Sequence, residues 1–178
     1  YKARRGNVPM NLFTSHGNRN TLTGVSEGSL KAFLGGSWKP LIDLIVSGKI
    51  KGLAGVVGCS SVAYGHDTLT AALTKELIAR DILVLTAGCS SGGLENIGLM
   101  TPEAADLAGP NLKAVCKQLG VPPVLNFGPC LAIGRLEIVA TEIARELGVD
   151  LPQLPLVISA AQWLEEQALA DGAFALAL

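Results

Sequence analysis

Aromatic residues are scarce in this sequence, with two Trp, two Tyr and four Phe among 178 residues. Its apolar mass is therefore mostly Leu, Ala, Val and Ile, and with 21 Gly this suits helices packed closely on a parallel sheet. Charge of one sign is lacking too: 14 Lys and Arg against 15 Asp and Glu leave a net charge of −1. That removes the electrostatic ground for binding nucleic acid. The densest basic stretch, Lys2, Arg4 and Arg5, reads as a solvated linker. No apolar run reaches the length of a membrane-spanning helix and no signal-peptide pattern opens the chain, so a cytoplasmic protein is expected. Internal repeats and low-complexity segments are absent. Four cysteines in a chain this long point to a metal or catalytic role rather than to disulfide staples.

What is present is an apolar alternation. Hydrophobic residues make up 49% of the chain and mean hydropathy is +0.41, so a large core is expected. The sequence begins at Tyr1 and stops inside the apolar run Phe174 to Leu178, and it reads as a piece of a longer protein. Residues 1–24 read as a linker from an upstream domain, and residues 25–178 as one α/β domain, truncated at its end. Helices are predicted from Ser26 to Leu34, Pro40 to Ser47, Asp67 to Arg80, over 92–107 and 110–119, from Leu131 to Leu147, and from Gln162 to Asp171. Apolar strands are predicted at Gly52–Gly58, Ile82–Thr86, Pro123–Phe127 and Leu154–Ser159, with a fifth at Ala173–Leu178. Leu69, Leu73, Leu77 and Ile78 mark the expected buried face of the third helix, which Asp67 or Thr68 can cap. Strands alternating with helices predict a Rossmann-like three-layer α/β/α domain with a mainly parallel sheet. Ligands of such sheets sit beyond the carboxyl ends of the strands.

Three cysteines fall at those ends. Cys59, Cys89 and Cys130 each directly follow a predicted strand and precede a helix. Each is preceded by Gly or Gly-Pro, which lets the backbone turn sharply. Three thiols should therefore gather at one edge of the sheet. Thiolates there suit zinc, copper(I) or iron–sulfur clusters, and the following helix amino termini should lower thiol pKa. Spacings of 30 and 41 residues match no compact zinc-finger or ferredoxin pattern, so the fold must bring the ligands together. The alternative is that the three are small core residues. Cys116, on the apolar stripe of a helix, is read as core.

Other candidates are weaker. The run from Gly88 to Gly93 could cradle a phosphate but lacks a P-loop lysine. His66 could serve a thiol nucleophile as base, or simply be solvated; His16 receives no role. Glu165, Glu166 and Asp171 read as the wet face of the last helix. Arg135 could donate to a cluster sulfide or a carboxylate, or lie on the surface.

These residues carry a family resemblance along nearly the whole chain. Val56 to Ser61 resembles the "VVGCNN" strand end of anaerobic nickel–iron carbon monoxide dehydrogenases. Thr74 to Ile78 with Asp81 to Cys89 is similar to their "AKELI…VLVLATGC", and Gly98 to Pro102 follows in the expected place. Pro122 to Cys130 resembles "PPVLHxGSC", and Asp150 to Ala160 the strand that follows it. The resemblance implies the first, larger part of that family's carboxy-terminal α/β domain. It implies that Cys59, Cys89 and Cys130 hold an active-site nickel–iron–sulfur cluster, with a histidine and further cysteines supplied upstream. It also implies oxidation of carbon monoxide with water to carbon dioxide, a ferredoxin-like acceptor for the two electrons, and a homodimer formed through the upstream regions.

Departures from the pattern accompany the likeness. "GCNN" is Gly58 to Ser61 here, and "GSCVDNSR" is Gly128 to Arg135. The family's "EKALAIG" is here the stretch from Glu166 to Gly172, which puts Gln167 at the lysine position and Asp171 at an apolar one. Both are candidate pocket residues. Glutamine cannot offer a positive charge to a developing carboxylate. Two other readings therefore stand beside the first: a nickel-free, altered cluster that reduces small nitrogen compounds such as hydroxylamine, or a non-catalytic metal- or redox-sensing module.

Overall fold

The computed structural model describes residues 21–61, 65 and 67–164. Its centre is a sheet of four strands: β1 (Gly52–Gly58), β2 (Ile82–Gly88), β3 (Val124–Asn126) and β4 (Leu156–Ser159). They run parallel in the order β3-β2-β1-β4. Every residue of β1 is buried, as expected of a polar-free strand inside a parallel sheet covered on both faces.

Among the described residues, six helices accompany the sheet: α1 (Glu27–Phe33), α2 (Lys39–Val46), α3 (Thr68–Ala79), α4 (Cys89–Asn96), α5 (Pro110–Leu119) and α6 (Ile133–Leu147). Short 3₁₀ turns lie at Pro102–Leu107, Cys130–Ala132 and Leu151–Gln153. The strand order reverses after β3. Helix α3 packs on β1 and β2, and α6 packs on β2 and on α1 and α2, so helices flank the parallel sheet in an α/β arrangement.

The α6 stripe is buried through Leu136, Val139 and Ile143 as its spacing predicts. Polar bonds tie the first two helices to it. Glu142 accepts from Lys31 Nζ at 2.8 Å and from the buried Trp38 indole at 2.7 Å. Glu146 accepts from the Ser37 hydroxyl at 2.5 Å and the Trp38 backbone N–H at 3.1 Å. The amino terminus of α5 is capped from outside: buried Asp81 accepts from Asn111 N at 3.0 Å and Leu112 N at 2.9 Å. Those donors would otherwise be orphaned by the helix geometry.

Several expectations change. Helix α4 begins at Cys89 itself, not at residue 92, and ends at Asn96; only a 3₁₀ turn follows over Pro102–Leu107. The inner face of α3 is Thr70, Thr74 and Ile78, while Leu69 is 48% exposed. Leu73 and Leu77 lie on the adjacent row and pack on the core edge. Thr70 turns inward because its hydroxyl donates to Gln162 at 3.2 Å. Residues 162–164 are not helical; Gln162 is instead buried beneath the loop that follows β1. The rest of that predicted helix and the fifth strand fall outside the described residues.

Candidate metal centre at the carboxyl edge of the sheet

Gly58 and Gly88 end β1 and β2, and Gly128, two residues past β3, lies level with them. Gly58 and Gly88 are register partners, and Gly88 N donates to Gly128 O at 2.8 Å. All three have positive φ, 105° at Gly58, 89° at Gly88 and 113° at Gly128, a region that side chains rarely permit. Each turn lifts the next residue off the sheet, so Cys59 and Cys89 leave side by side. Cys130 comes one residue later because Pro129 intervenes. A Cβ on Gly88 would meet Gly58 O at 2.7 Å and Cys130 Sγ at 3.3 Å. The bare glycine is what lets the three strand ends approach.

Cys59 is half-buried, and Cys89 and Cys130 are exposed. The Cys89 thiol is pushed above its ordinary range by burial, then by the neighbouring Cys130 and Cys59 and by Asp67. Burial, the neighbouring thiols and Asp67 thus act against the lowering expected of a helix amino terminus at Cys89. Cys116 lies elsewhere, buried on α5, with burial pushing its thiol up to about 11. It is a core residue, as its stripe predicts. Among the described residues, no three of His, Cys, Asp and Glu converge as ligands of one metal ion would.

The backbone at this edge is held by side chains whose sequence signal is slight. Ser90 donates to Gly58 O at 3.1 Å and Cys59 O at 3.3 Å, and Ser91 donates to Gly88 O at 2.7 Å. Ser60 donates to the Asp67 carboxylate at 2.5 Å. Gln162 reaches Ser61 O and Gly65 O, each at 3.4 Å. Trp163 lies against Gly58, where an added Cβ would sit 2.5 Å from its ring. The three thiols are soft donors spread along the edge, so they fit a cluster of soft metals rather than one ion.

The remaining candidates divide. Arg135 donates through Nη1 to Glu27 at 2.7 and 2.8 Å, so it serves a carboxylate and joins α6 to α1. His16, His66, Glu165, Glu166, Gln167 and Asp171 lie outside the described residues.

Residues 2–178 match the Prismane/CO dehydrogenase family. The chain belongs to that family. Among its relatives there, a carbon monoxide dehydrogenase of Methanocaldococcus jannaschii is 64% identical over 156 residues, which are 87% of this chain and 25% of that protein. One from Methanopyrus kandleri is 44% identical over 100% of this chain and 29% of its own length. A solved Ni-free carbon monoxide dehydrogenase from Thermococcus sp. AM4 superposes with a TM-score of 0.82 at 41% identity, covering 85% of this chain and 24% of that one. The chain thus spans between a quarter and three tenths of the length of these curated family members.

Proposed function

We propose that this chain is the cluster-binding α/β portion of a carbon monoxide dehydrogenase, a redox enzyme that oxidises carbon monoxide with water to carbon dioxide, two electrons and two protons. The observation that carries the reading is the level placement of three Gly-turned strand ends, each presenting a cysteine. A compact zinc finger gathers ligands from one short loop, whereas here neighbouring strand ends about 4.8 Å apart spread them. That spread suits a cluster whose metal atoms each take their own ligand. Cys59, Cys89 and Cys130 would hold it as thiolates, and the remaining ligands would come from the longer protein. Such a group supplies binding and two-electron oxidation of the small substrate.

The described residues hold the site rather than transform the substrate. Ser90 and Ser91 fix the strand-end carbonyls. Trp163 packs its ring on the end of β1 at Gly58. The family membership supports a ferredoxin-like acceptor, a homodimer and a cytoplasmic setting for the parent protein. Among the described residues, no helix is long and apolar enough to cross a membrane.

The test is nickel, iron and sulfide content of the full-length parent, purified without oxygen, beside its Cys89→Ala variant. Nickel, iron and sulfide together, lost in the variant, are expected. Iron and sulfide without nickel would favour the altered-cluster reading, and hydroxylamine-dependent dye oxidation would then be measured against carbon monoxide-dependent dye reduction. Unchanged metal in the variant would sink the site.

A further inference from the structure

Asp67 begins α3 with a left-handed backbone, φ 61°, and its side chain makes no capping hydrogen bond to that helix. A residue other than glycine held in this region costs free energy that its surroundings must offset. The offset lies at the cysteine edge. Asp67 Oδ1 accepts the Ser60 hydroxyl at 2.5 Å, and Asp67 N donates back to Ser60 Oγ at 3.2 Å. The same carboxylate sits over Gly93, where an added Cβ would collide with its carbon and both oxygens. Ser60 follows Cys59, and Gly93 lies on the helix that Cys89 begins. One carboxylate therefore bridges the elements that present two of the three thiols.

We propose that Asp67 is a positioning residue for the cluster, with Ser60 as its clasp and Gly93 as its seat. The clasp fixes the backbone after Cys59. The seat fixes that backbone against α4, so the separation of Cys59 and Cys89 is set before any metal arrives. The inference rests on the reading of these cysteines as ligands. It also gives a physical reason for two sequence features. Serine at position 60, where the family pattern has asparagine, supplies a short hydroxyl that reaches Asp67. Of the paired glycines, Gly92 has open space where a Cβ would go and Gly93 has none, so only Gly93 answers to the clasp.

The experiment compares Ser60→Ala, Asp67→Ala, Gly93→Ala and the control Gly92→Ala in the full-length parent, with Cys89→Ala alongside. Iron and sulfide retention under chelator challenge and the electron paramagnetic resonance spectrum of the loaded fraction are the readouts. Ser60→Ala, Asp67→Ala and Gly93→Ala should each retain metal about tenfold less tightly and shift the spectrum. Ser60→Thr should recover both, the Ser60→Ala/Asp67→Ala double variant should be no worse than Asp67→Ala alone, and Gly92→Ala should match the parent. A purely structural role would lower yield without moving the spectrum of the loaded fraction. If Gly93→Ala fails to fold, Ser60→Ala decides, since it removes one hydroxyl from a half-buried residue. Metal lost in Cys89→Ala but unchanged in content and spectrum in the clasp variants overturns the clasp alone. Metal kept in Cys89→Ala overturns the ligand reading and the clasp with it.

Discussion

Cys116 and Cys89 have the same side chain in two environments. Cys116 is 1% exposed among leucines and valines, and burial alone pushes its thiol up to about 11. Against the ordinary value of 9.0, that leaves roughly a hundredfold less thiolate near neutral pH, and the thiolate is the reactive form. Cys116 in the folded parent should therefore resist iodoacetamide at pH 8 and react once guanidinium unfolds the chain, as read by peptide mass mapping. Ready alkylation of the folded protein would contradict its place in the core. Sequence alone could separate Cys116 from the other three, because it lacks a preceding glycine and a strand. It could not show Asp67 over Gly93, on the helix that Cys89 begins, because that placement depends on a left-handed backbone and on the space above Gly93, neither of which leaves a periodic trace.

At the scale of elements, the cap of α5 offers a sharp test. Asp81 is buried, has φ 64° and accepts two backbone N–H groups of the helix. Asp81→Ala should cost about 2 kcal/mol, seen as faster amide exchange across 110–119 with the sheet core unchanged. Unaltered exchange there would mean that water replaces the cap without loss. The strands were legible because each is a mostly apolar run closed by a turn. β4 starts later than its apolar pattern, at Leu156, because Pro155 has no N–H and contributes only its carbonyl, to Leu53 N at 2.9 Å. The early start of α4 was hidden because Cys89, Ser90 and Ser91 read as a strand-to-helix turn, the place serines favour. Burial on α3 was misjudged for a related reason: hydropathy ranks leucine above threonine, whereas a buried hydroxyl with a partner, as at Thr70, is tolerated inside.

Across the whole molecule, carboxylates join the outer helical layer to α6. Glu27 is held below its ordinary 4.5 by hydrogen bonds from Arg135. Glu142 is lowered by Lys31 and Trp38, and Glu146 by Ser37 and the Trp38 backbone. Asp106, on the 3₁₀ turn before α5, is likewise lowered to about 2 by Lys117 and Lys113 of that helix. Each is a depressed carboxyl, so its stabilisation is fully present above the ordinary carboxylate range and disappears as pH falls through the lowered value. Glu146 and Asp106 are exposed and Glu27 and Glu142 half-buried, so the effect is screened by salt. On acidification from pH 6 toward 3, amide exchange in α1 and α2 should quicken before that in β1 and β2, and added salt should shrink the difference. Simultaneous loss in all four elements would show that the ion pairs do not hold this layer.

The three level glycines also order events in time. Their cysteines come from separate crossovers, so no short stretch of nascent chain carries even two of them in place. Pairing β1 with β2 and β2 with β3 closes loops of distant residues, the slow kind of contact in folding. Iron and sulfide supplied during refolding should therefore be taken up only after amide protection has spread over β1, β2 and β3, as pulsed exchange can follow. Uptake that preceded protection would contradict this order. The site is an address that exists only once the sheet has been assembled, and an occupied cluster is a record that folding reached its end.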